Sequence, residues 1–399
     1  MMRVVITGLG FVSSLGLDAE QTWKATLLGR TGLGPLRHLA MPGEPVQLAA
    51  EVDLPAAPPE VRRPSRCLRL ALVSLDETLA AAGLDLEHGD PRRRGVYQGA
   101  PSSGLPAAEA YALDRLSGRR GQAAEAVWQT PNVIADTLAE RLGALGPRST
   151  IMNACSSSLM ALGQAWEAIA LGELDFALAG GSEALCRTTY AGFSALKAMD
   201  AKPCRPFSAD RAGMNLGEGS AQLLLESLDH ARARGARILG EVLGYGASMD
   251  GHHATAPHPE GAGAARAMAL ALRTARLLPD AVDLVSAHAT ATPANDAAEC
   301  LAIRTALGPA ASRVSLTASK SQFGHTLAAA GAVGTAVALM ALRDQVVPPT
   351  LRLEEPDPVC DLDCTPKVAR ERRLRSALVN AFAFGGNNVS LALKRWEGA

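Results

Sequence analysis

The chain has 399 residues, 48% of them hydrophobic, so it is long and apolar enough for two domains or one large double domain. Its 39 basic and 40 acidic residues leave a formal net charge of -1, so the bulk charge gives no support for nucleic-acid binding. The seven cysteines are odd in number and scattered, without the paired CxxC spacing of zinc sites or a secreted disulfide framework. A reducing cytoplasm is the compartment that this pattern favours.

Two apolar stretches raise the question of a signal peptide or a membrane span. The first, at residues 1–8, is interrupted by Gly8 and Gly10 and followed by Asp18, so it predicts a first strand and turn. The second, Leu327–Leu342, is rich in alanine and glycine and short for a span, so it predicts a buried core helix. We therefore expect no membrane association.

Short apolar segments alternate with longer helical patterns along the chain, which predicts an α/β fold. The strand candidates are Arg3–Thr7, Gly95–Tyr97, Thr150–Asn153, Phe176–Ala179, Gln222–Glu226, Leu284–Ala287, Val314–Thr317, Leu378–Phe382 and Val389–Leu393. The helix candidates are Leu70–Ala82, Val133–Leu142, Ser157–Leu171, Ala264–Leu277, Asp296–Leu307 and Thr326–Asp344. Two of these helices, the one after Cys155 and the one after His325, are apolar nearly all round, which predicts burial between layers. No linker stands out, and we place the division into two halves, 1–245 and 246–399, at a glycine-rich seam.

Cys155 is the candidate nucleophile. It opens the run Cys155–Ser158 between the end of a predicted strand and the start of a buried helix. Free amide N–H groups and the positive end of the helix dipole stabilise an anion there, so we expect its pKa to lie below the usual value of roughly 8.5. A buried structural cysteine is the alternative, and it suits Cys67, Cys186 and Cys300 well. The small hydroxyl-bearing neighbours of Cys155 favour the nucleophile, because they leave room for a substrate to approach the backbone.

His288 and His325 are the candidates for chemistry with this thiol. His288 ends an apolar run and precedes Thr290 and Thr292, whose hydroxyl groups can hydrogen-bond a polar ligand arm. His325 follows Lys320 at the start of an apolar helix, where the helix terminus lowers the proton affinity of an imidazole and keeps it neutral. A neutral imidazole can donate one N–H to a developing oxyanion or enolate. A hydrogen-bonded core histidine is the alternative at each position.

Two other kinds of site receive less support. The possible metal ligands are His252, His253, His258, His288 and His325. No HExxH or similar pair is present, however, and adjacent histidines on an extended segment point to opposite sides. A dinucleotide loop would use Gly8 and Gly10, but the third glycine position holds Ser13 and no acidic ribose partner follows. We expect no metal site.

Four segments together resemble the β-ketoacyl-acyl-carrier-protein synthases, the condensing enzymes of fatty acid and polyketide assembly. They are Asn153–Leu159, His288–Glu299, Lys320–Gly331 and Asn380–Asn388. The resemblance covers essentially the whole chain and implies a thiolase-like fold of two similar α/β halves stacked as five layers, αβαβα, and normally dimeric. It also implies that no cofactor is bound, because the substrates arrive on the 4'-phosphopantetheine arm of an acyl carrier protein.

The resemblance also implies the roles of the central residues. Cys155 matches the acylated nucleophile, His288 and His325 match the pair that promotes malonyl decarboxylation, and Lys320 matches the supporting lysine. A Cys-His-His set fits an elongating synthase better than the initiating type, which pairs Cys and His with Asn, or degradative thiolases, which use a second catalytic Cys.

Four further residues match substrate-binding positions of that family. Thr290 and Thr292 are expected to hold the pantetheine arm. Phe384 is expected to be the gating phenylalanine, whose N–H joins that of Cys155 in an oxyanion hole, and Phe193 is expected to line the acyl pocket.

The implied activity is a decarboxylative Claisen condensation in fatty acid or polyketide/polyene biosynthesis. Gly334 stands where the bacterial fatty acid enzyme usually has an acidic residue, and Asn387 stands where Thr is common, which makes a polyketide or polyene product a serious alternative. The chain could also be the ketosynthase subunit of a heterodimer with a non-catalytic, chain-length-determining partner, or such a partner itself. Thioester transfer or hydrolysis without condensation is a third possibility. Retention of Cys155 favours a catalytic subunit.

An acidic carrier protein would need a local basic surface on this nearly neutral chain. The candidates are Arg62, Arg63, Arg66, Arg69, Lys197 and Lys202. Ordinary solvated charges are the alternative. The expected partners are therefore an acyl carrier protein and a second subunit, in a homodimer or a heterodimer, without nucleic acid or membrane.

Overall fold

The computed structural model describes residues 1–55, 65–100, 102, 104–121, 123 and 130–398. The strands are β1 (Val4–Ser13), β2 (Leu33–Pro35), β3 (Leu48–Ala50), β4 (Arg94–Gly99), β5 (Arg148–Ile151), β6 (Phe176–Glu183), β7 (Leu216–Gly217), β8 (Gly219–Ser227), β9 (Gly240–Met249), β10 (Leu284–Ser286), β11 (Ser315–Thr317), β12 (Val346–Val347), β13 (Arg370–Glu371), β14 (Ser376–Ala383) and β15 (Asn387–Arg395). The helices are α1 (Ala19–Leu27), α2 (Arg66–Ala82), α3 (Leu105–Leu116), α4 (Asn132–Arg141), α5 (Ser157–Ala170), α6 (Arg187–Ala195), α7 (Leu228–Ala233), α8 (Ala262–Ala275), α9 (Pro293–Leu307), α10 (Lys320–Phe323) and α11 (Ala330–Asp344).

The main sheet consists of two parts with the same topology. Its strand order is β11-β10-β14-β15-β9-β1-β8-β6-β4-β5. β1 and β9 pair only between Val4–Ile6 and Gly240–Val242, and this short junction joins the two parts. In each part the strand that comes first in the chain lies at the junction, followed outward by the fifth, fourth, second and third. The two halves therefore repeat one arrangement, although no clear repeat is visible in the sequence.

Helices cover both parts of the sheet and form one shared layer between them. On the outside, α2 and α4 pack on the first half, and α8 packs on the second half with α9 against it. On the inside, α5 of the first half packs against α11 of the second, and each also contacts strands of its own half. The layers are thus α, β, α, β and α, and the predicted architecture is confirmed.

The two central helices approach each other closely. Every residue of α11 from Ala330 to Leu342 is buried, as the apolar pattern predicted. A Cβ atom added at Gly331 would come within 2.5 Å of the Leu159 Cβ atom on α5. The segment Leu327–Asp344 has the length and hydropathy of a membrane span, but 83% of it is buried within the protein, as in a core helix.

The predicted strands and helices are all present, with most ends displaced by a few residues. The main omission from the sequence prediction is β9, whose glycines give a weak strand signal. These glycines allow close packing, since a Cβ atom at Gly246 would lie 2.3 Å from the carbonyl oxygen of Ala267 on α8. The predicted division at residue 245 lies inside β9, which pairs with β15. By strand pairing, the second half begins at Gly240 rather than at residue 246.

Candidate active site

Cys155 lies in a tight turn between β5 and α5. Ala154 has a φ of 46°, in the left-handed region, which costs a residue with a Cβ atom about 1–3 kcal/mol. Serine hydroxyl groups hold this turn, because Ser156 donates to the Asn153 carbonyl at 2.9 Å and Ser157 donates to the Ala154 carbonyl at 2.6 Å. Both serines are fully buried. They fix the backbone around the thiol, whereas the sequence analysis expected them to leave space for a substrate.

His325 lies directly beside the thiol. Its Nε2 atom is 3.1 Å from the Cys155 sulfur atom. Its Nδ1 atom accepts the N–H of Leu327 at 3.2 Å. Because Nδ1 accepts a hydrogen bond, the neutral ring carries its proton on Nε2 and directs it at the sulfur.

His288 and Lys320 complete the cluster. The rings of His288 and His325 meet edge to face, with centroids 5.4 Å apart and planes at 84°. The Lys320 ammonium group donates to the His288 carbonyl oxygen and lies 3.4 Å from its Nδ1 atom. The Nε2 atom of neutral His288 is therefore the N–H donor, as in His325. The thiol, both imidazoles and the lysine predicted for the site meet in one place, supplied by both halves of the protein.

The loop that carries His288 is held by two buried carboxylates that the sequence analysis did not select. Glu299 accepts the N–H groups of His288 at 2.8 Å and Ala289 at 2.7 Å, and Asp296 accepts that of Ala291 at 3.1 Å. The loop needs this support because Ala289 and Ala291 have φ values of 37° and 63°. The signal in the sequence is the i, i+3 spacing of the two acids, which places them on one side of α9.

Burial controls the ionisation of the thiol. It raises the pKa of Cys155 to about 12, against the opposing effects of the Lys320 ammonium group and the backbone N–H groups of Cys155 and Phe384. The expectation of a lowered pKa is therefore wrong for the resting protein, because the cost of desolvating the anion exceeds the stabilisation at the helix start. Cys155 is a thiol at neutral pH.

Burial also keeps the imidazoles uncharged. It lowers the pKa of His288 and of His325 well below the usual value, and the positive charge of Lys320 adds to this effect. Both rings are thus neutral at pH 7, as predicted for His325, although desolvation rather than a helix terminus is the main cause. Burial lowers the pKa of Lys320 to about 8.

A cavity of about 300 Å³ gives access to this cluster. Cys155, His288 and His325 line it together with Thr290 and Thr292. The two threonine hydroxyl groups are 3.0 Å apart and form one polar strip along the wall. The cavity therefore combines a reactive end with a wall that can hydrogen-bond an extended polar group.

Two phenylalanine rings line the same cavity. Phe193 and Phe384 stack with centroids 5.5 Å apart and planes at 22°. The backbone N–H groups of Phe384 and Cys155 both act to lower the pKa of the Cys155 thiol, against the larger effect of burial. Gly385 and Gly386, which follow Phe384, have φ values of 81° and 74°, a conformation that glycine adopts without strain.

The six predicted surface cations are not equivalent. Arg62 and Arg63 lie outside the described residues. Arg66 forms two hydrogen bonds with the buried carboxylate of Glu218, at 2.7 and 2.6 Å. This ion pair engages the guanidinium group of Arg66, whose side chain is only 25% exposed, so a contact with a carrier protein stays a prediction. Arg69 is half-buried and donates to the carbonyl oxygen of Pro55.

The two predicted lysines are exposed. Lys197 follows α6 and lines the catalytic cavity, as Thr292 and Asp250 do. Lys202 lines a separate surface pocket with Arg205 and Arg352. Of these cations, Lys197 is the one in the wall of the catalytic cavity.

Possible metal ligands are dispersed in the part of the chain that the structure describes. No three His, Cys, Asp or Glu side chains are grouped there so as to hold a metal ion. The rings of His252 and His258 lie 5.2 Å apart on the segment between β9 and α8. His288 and His325 instead contact Lys320 and Cys155.

A duplicated αβαβα fold with a thiol and two neutral imidazoles at the contact of its halves defines the thiolase-like class of condensing enzymes. Family models agree with this class. The model of the β-ketoacyl synthase N-terminal domain matches residues 1–231, and that of the C-terminal domain matches residues 239–354.

Similar proteins of known name cover the chain along its full length. The 3-oxoacyl-[acyl-carrier-protein] synthase 2 of Rhizobium meliloti (strain 1021) is 38% identical over 100% of both chains. Nodulation protein E of Rhizobium meliloti is 39% identical over 98% of this chain and 99% of its own. Among solved structures, a β-ketoacyl synthase from Burkholderia phymatum STM815 covers 100% of both chains, with a TM-score of 0.91 and 33% identity. The ishigamide ketosynthase/chain length factor covers 99% of both, with a TM-score of 0.92 and 33% identity.

The chain belongs to the β-ketoacyl synthase family, and the family prediction is confirmed. It is accordingly a condensing acyltransferase.

Proposed function

We propose that the chain extends an acyl group, held as a thioester on Cys155, by decarboxylative condensation with a malonyl group carried on acyl carrier protein. The observation that carries this proposal is the 3.1 Å contact between the Cys155 sulfur and the Nε2 atom of His325. It joins a nucleophile to an N–H donor whose tautomer the fold fixes. The family membership and the relatives named acyl-carrier-protein synthases support the same activity.

The first half-reaction transfers the acyl group to the enzyme. The Cys155 sulfur attacks the acyl thioester, and the tetrahedral oxyanion accepts hydrogen bonds from the N–H groups of Cys155 and Phe384. The carrier thiol leaves with the proton of Cys155. Because the resting group is a protonated thiol, this proton must depart as the carbon–sulfur bond forms.

The second half-reaction forms the carbon–carbon bond. When the malonyl thioester loses carbon dioxide, the electron pair of the broken bond forms an enolate, whose oxygen accepts the Nε2–H groups of His288 and His325. Burial keeps both rings neutral, the charge of Lys320 adds to this effect, and its ammonium group holds Nδ1 of His288 as an acceptor. The enolate carbon then attacks the acyl carbonyl carbon, and Cys155 leaves as a thiolate and regains a proton.

We assign the carrier arm to the strip formed by Thr290 and Thr292, and the acyl chain to the wall formed by Phe193 and Phe384. Lys197, Lys202 and Arg69 are the proposed contacts for an acidic carrier protein, with Arg62, Arg63 and Arg66 as further candidates. Lys197 has the strongest support, because it is exposed and lines the catalytic cavity.

The second candidate function is that of a ketosynthase subunit within a heterodimer. For both candidates we propose a cytoplasmic location. The heterodimer is favoured by the similarity to the ishigamide ketosynthase/chain length factor and to a type II ketosynthase solved in complex with its acyl-carrier protein, the latter with a TM-score of 0.93 and 29% identity. A homodimer and a heterodimer both leave the thiol in this chain. The length and oxidation state of the product that the enzyme forms would distinguish a fatty acid pathway from a polyketide or polyene pathway.

The test separates the two half-reactions. Cys155→Ala should abolish the acyl adduct and condensation and retain carbon dioxide release from malonyl-carrier protein, because the imidazole pair is intact. In the His288→Ala and His325→Ala proteins, Cys155 should still be acylated, but carbon dioxide release from malonyl-carrier protein should be lost. Intact-protein mass and product mass are measured with a panel of acyl-carrier proteins. Elongation by the Cys155→Ala protein would reject the proposal.

A further inference from the structure

Asn215 is a buried polar residue that neither the sequence analysis nor the proposed mechanism uses. Asn215 directly precedes β7, and its side chain is fully buried. It does not line the catalytic cavity. A buried amide must be hydrogen-bonded to be tolerated, so its partners show what it holds in place.

The side-chain amide closes the loop at residues 200–204. Its oxygen accepts the N–H of Cys204 at 2.6 Å, and its nitrogen donates to the carbonyl oxygens of Asp200 at 2.8 Å and Lys202 at 3.3 Å. One side chain thus satisfies three backbone groups of a single loop. This loop follows Lys197 and contains Lys202, both exposed.

The backbone of the same segment holds His325. The Asn215 carbonyl oxygen accepts the N–H of His325 at 2.7 Å, and the N–H of Gly217 donates to the His325 carbonyl at 3.0 Å. The His325 backbone is therefore fixed on both sides by residues 215–217. The loop has a second link to the site, since the Cys204 thiol donates to the Lys320 carbonyl at 3.3 Å.

We infer that Asn215 is a positioning residue that sets His325 at the distance decarboxylation requires. The inference rests on the proposed function. Removal of the amide leaves three backbone groups of the loop without partners, so the loop and the residue-215 backbone shift together, and His325 shifts with them. A displacement of about 1 Å at a reacting group can lower a rate on the order of a hundredfold. Acylation of Cys155 depends on the N–H groups of Cys155 and Phe384, to which Asn215 is not bonded, so it is spared.

The experiment compares Asn215→Ala with Gln98→Leu. Gln98 is also a fully buried amide, but its partner is Gln222 in the sheet of the first half, at 2.8 Å. Each full-length protein is assayed for acylation of Cys155 by acyl-carrier protein and for carbon dioxide release from malonyl-carrier protein, with unfolding temperature recorded. We expect Asn215→Ala to lower carbon dioxide release at saturating carrier about tenfold or more and acylation by less than about threefold. The Gln98→Leu protein should lose stability while keeping the ratio of the two rates.

A loss of both activities in equal proportion, as expected from general destabilisation, overturns the inference, and so does an unchanged rate of decarboxylation. If Asn215→Ala does not fold, Asn215→Asp gives the same comparison, because it keeps the shape and the acceptor for Cys204 but replaces the donor with an oxygen that faces the carbonyl oxygens of Asp200 and Lys202. A wild-type protein that neither acylates nor decarboxylates refutes the proposed function itself, whatever the variants do.

Discussion

The two halves of the molecule place different chemistry at equivalent points of one topology. In the first half, residues 152–156 connect β5 to the central helix α5 and carry Cys155. In the second half, residues 318–329 connect β11 to the central helix α11 and carry Lys320 and His325. The short connection leaves room for a strained turn and one thiol. The long one includes the extra helix α10 and holds two polar groups.

This difference shows how a repeated scaffold separates the two half-reactions. In the proposed mechanism, the first half supplies the covalent attachment point and one of its oxyanion donors. In the same proposal, the second half supplies the donors for the enolate, and its buried acids Asp296 and Glu299 hold the loop that carries His288. A substitution should therefore affect most the half-reaction that the changed group serves, whichever half carries that group. Three further predictions sharpen this comparison of the two halves.

The largest expected effect follows from Lys320→Met. Loss of the ammonium group removes the contact that holds Nδ1 of His288 as an acceptor and allows the pKa of both imidazoles to rise, so decarboxylation should fall by about a thousandfold. In the wild-type protein, decarboxylation should fall as pH rises through about 8, where Lys320 loses its charge. Carbon dioxide release is the measurement, and Lys24→Met on the exposed face of α1 is the control. A wild-type rate for Lys320→Met would remove the lysine from the mechanism.

A smaller effect is expected on stability in the first half. Glu226 is fully buried against Arg234 and His230, and although burial opposes it, these hydrogen bonds lower the pKa of Glu226 to about 2. A folded-state pKa below the unfolded value stabilises the fold above about pH 4.5, by roughly 3 kcal/mol, and this stability is lost as pH falls towards 2. Glu226→Gln should lower the free energy of unfolding at pH 7 by about that amount and have little effect near pH 2. Denaturant titration measures the free energy of unfolding, and Glu87→Gln, a substitution at an exposed residue, is the control. Equal stability of the two variants at pH 7 would contradict the prediction.

The last prediction concerns the reactivity of Cys155, which involves the thiol alone and not a half-reaction. With its pKa raised to about 12, the thiolate fraction should increase about tenfold per pH unit between pH 7 and 10. The rate of alkylation by iodoacetamide, followed by mass at Cys155, should increase in parallel. A plateau near pH 7 would show that the helix start outweighs burial, as the sequence analysis expected.

The reactive residues could be predicted from the sequence, but the distances, burial and pKa values that determine their chemistry could not. Cys155, His288, Lys320 and His325 could be selected because their side chains are reactive and stand at strand ends and helix starts. The distance of 3.1 Å between the Cys155 sulfur and the Nε2 atom of His325 could not be predicted, because it depends on the packing of α5 against α11. The pKa of Cys155 was mispredicted for the same reason, because a local helix argument contains no measure of burial. Glu299 shows the same limit, because its role follows from two backbone partners that only the folded loop presents.

The close packing of Gly331 on Leu159 has a consequence for the geometry of the active site. The distance between α5 and α11 determines the distance between Cys155 and His325. Gly331 has no side chain, so it lets the two helices approach each other closely. Any larger side chain there would have to push α5 and α11 apart, and the reacting atoms with them. Residue 331 takes no part in the chemistry, yet its size affects the geometry of bond formation.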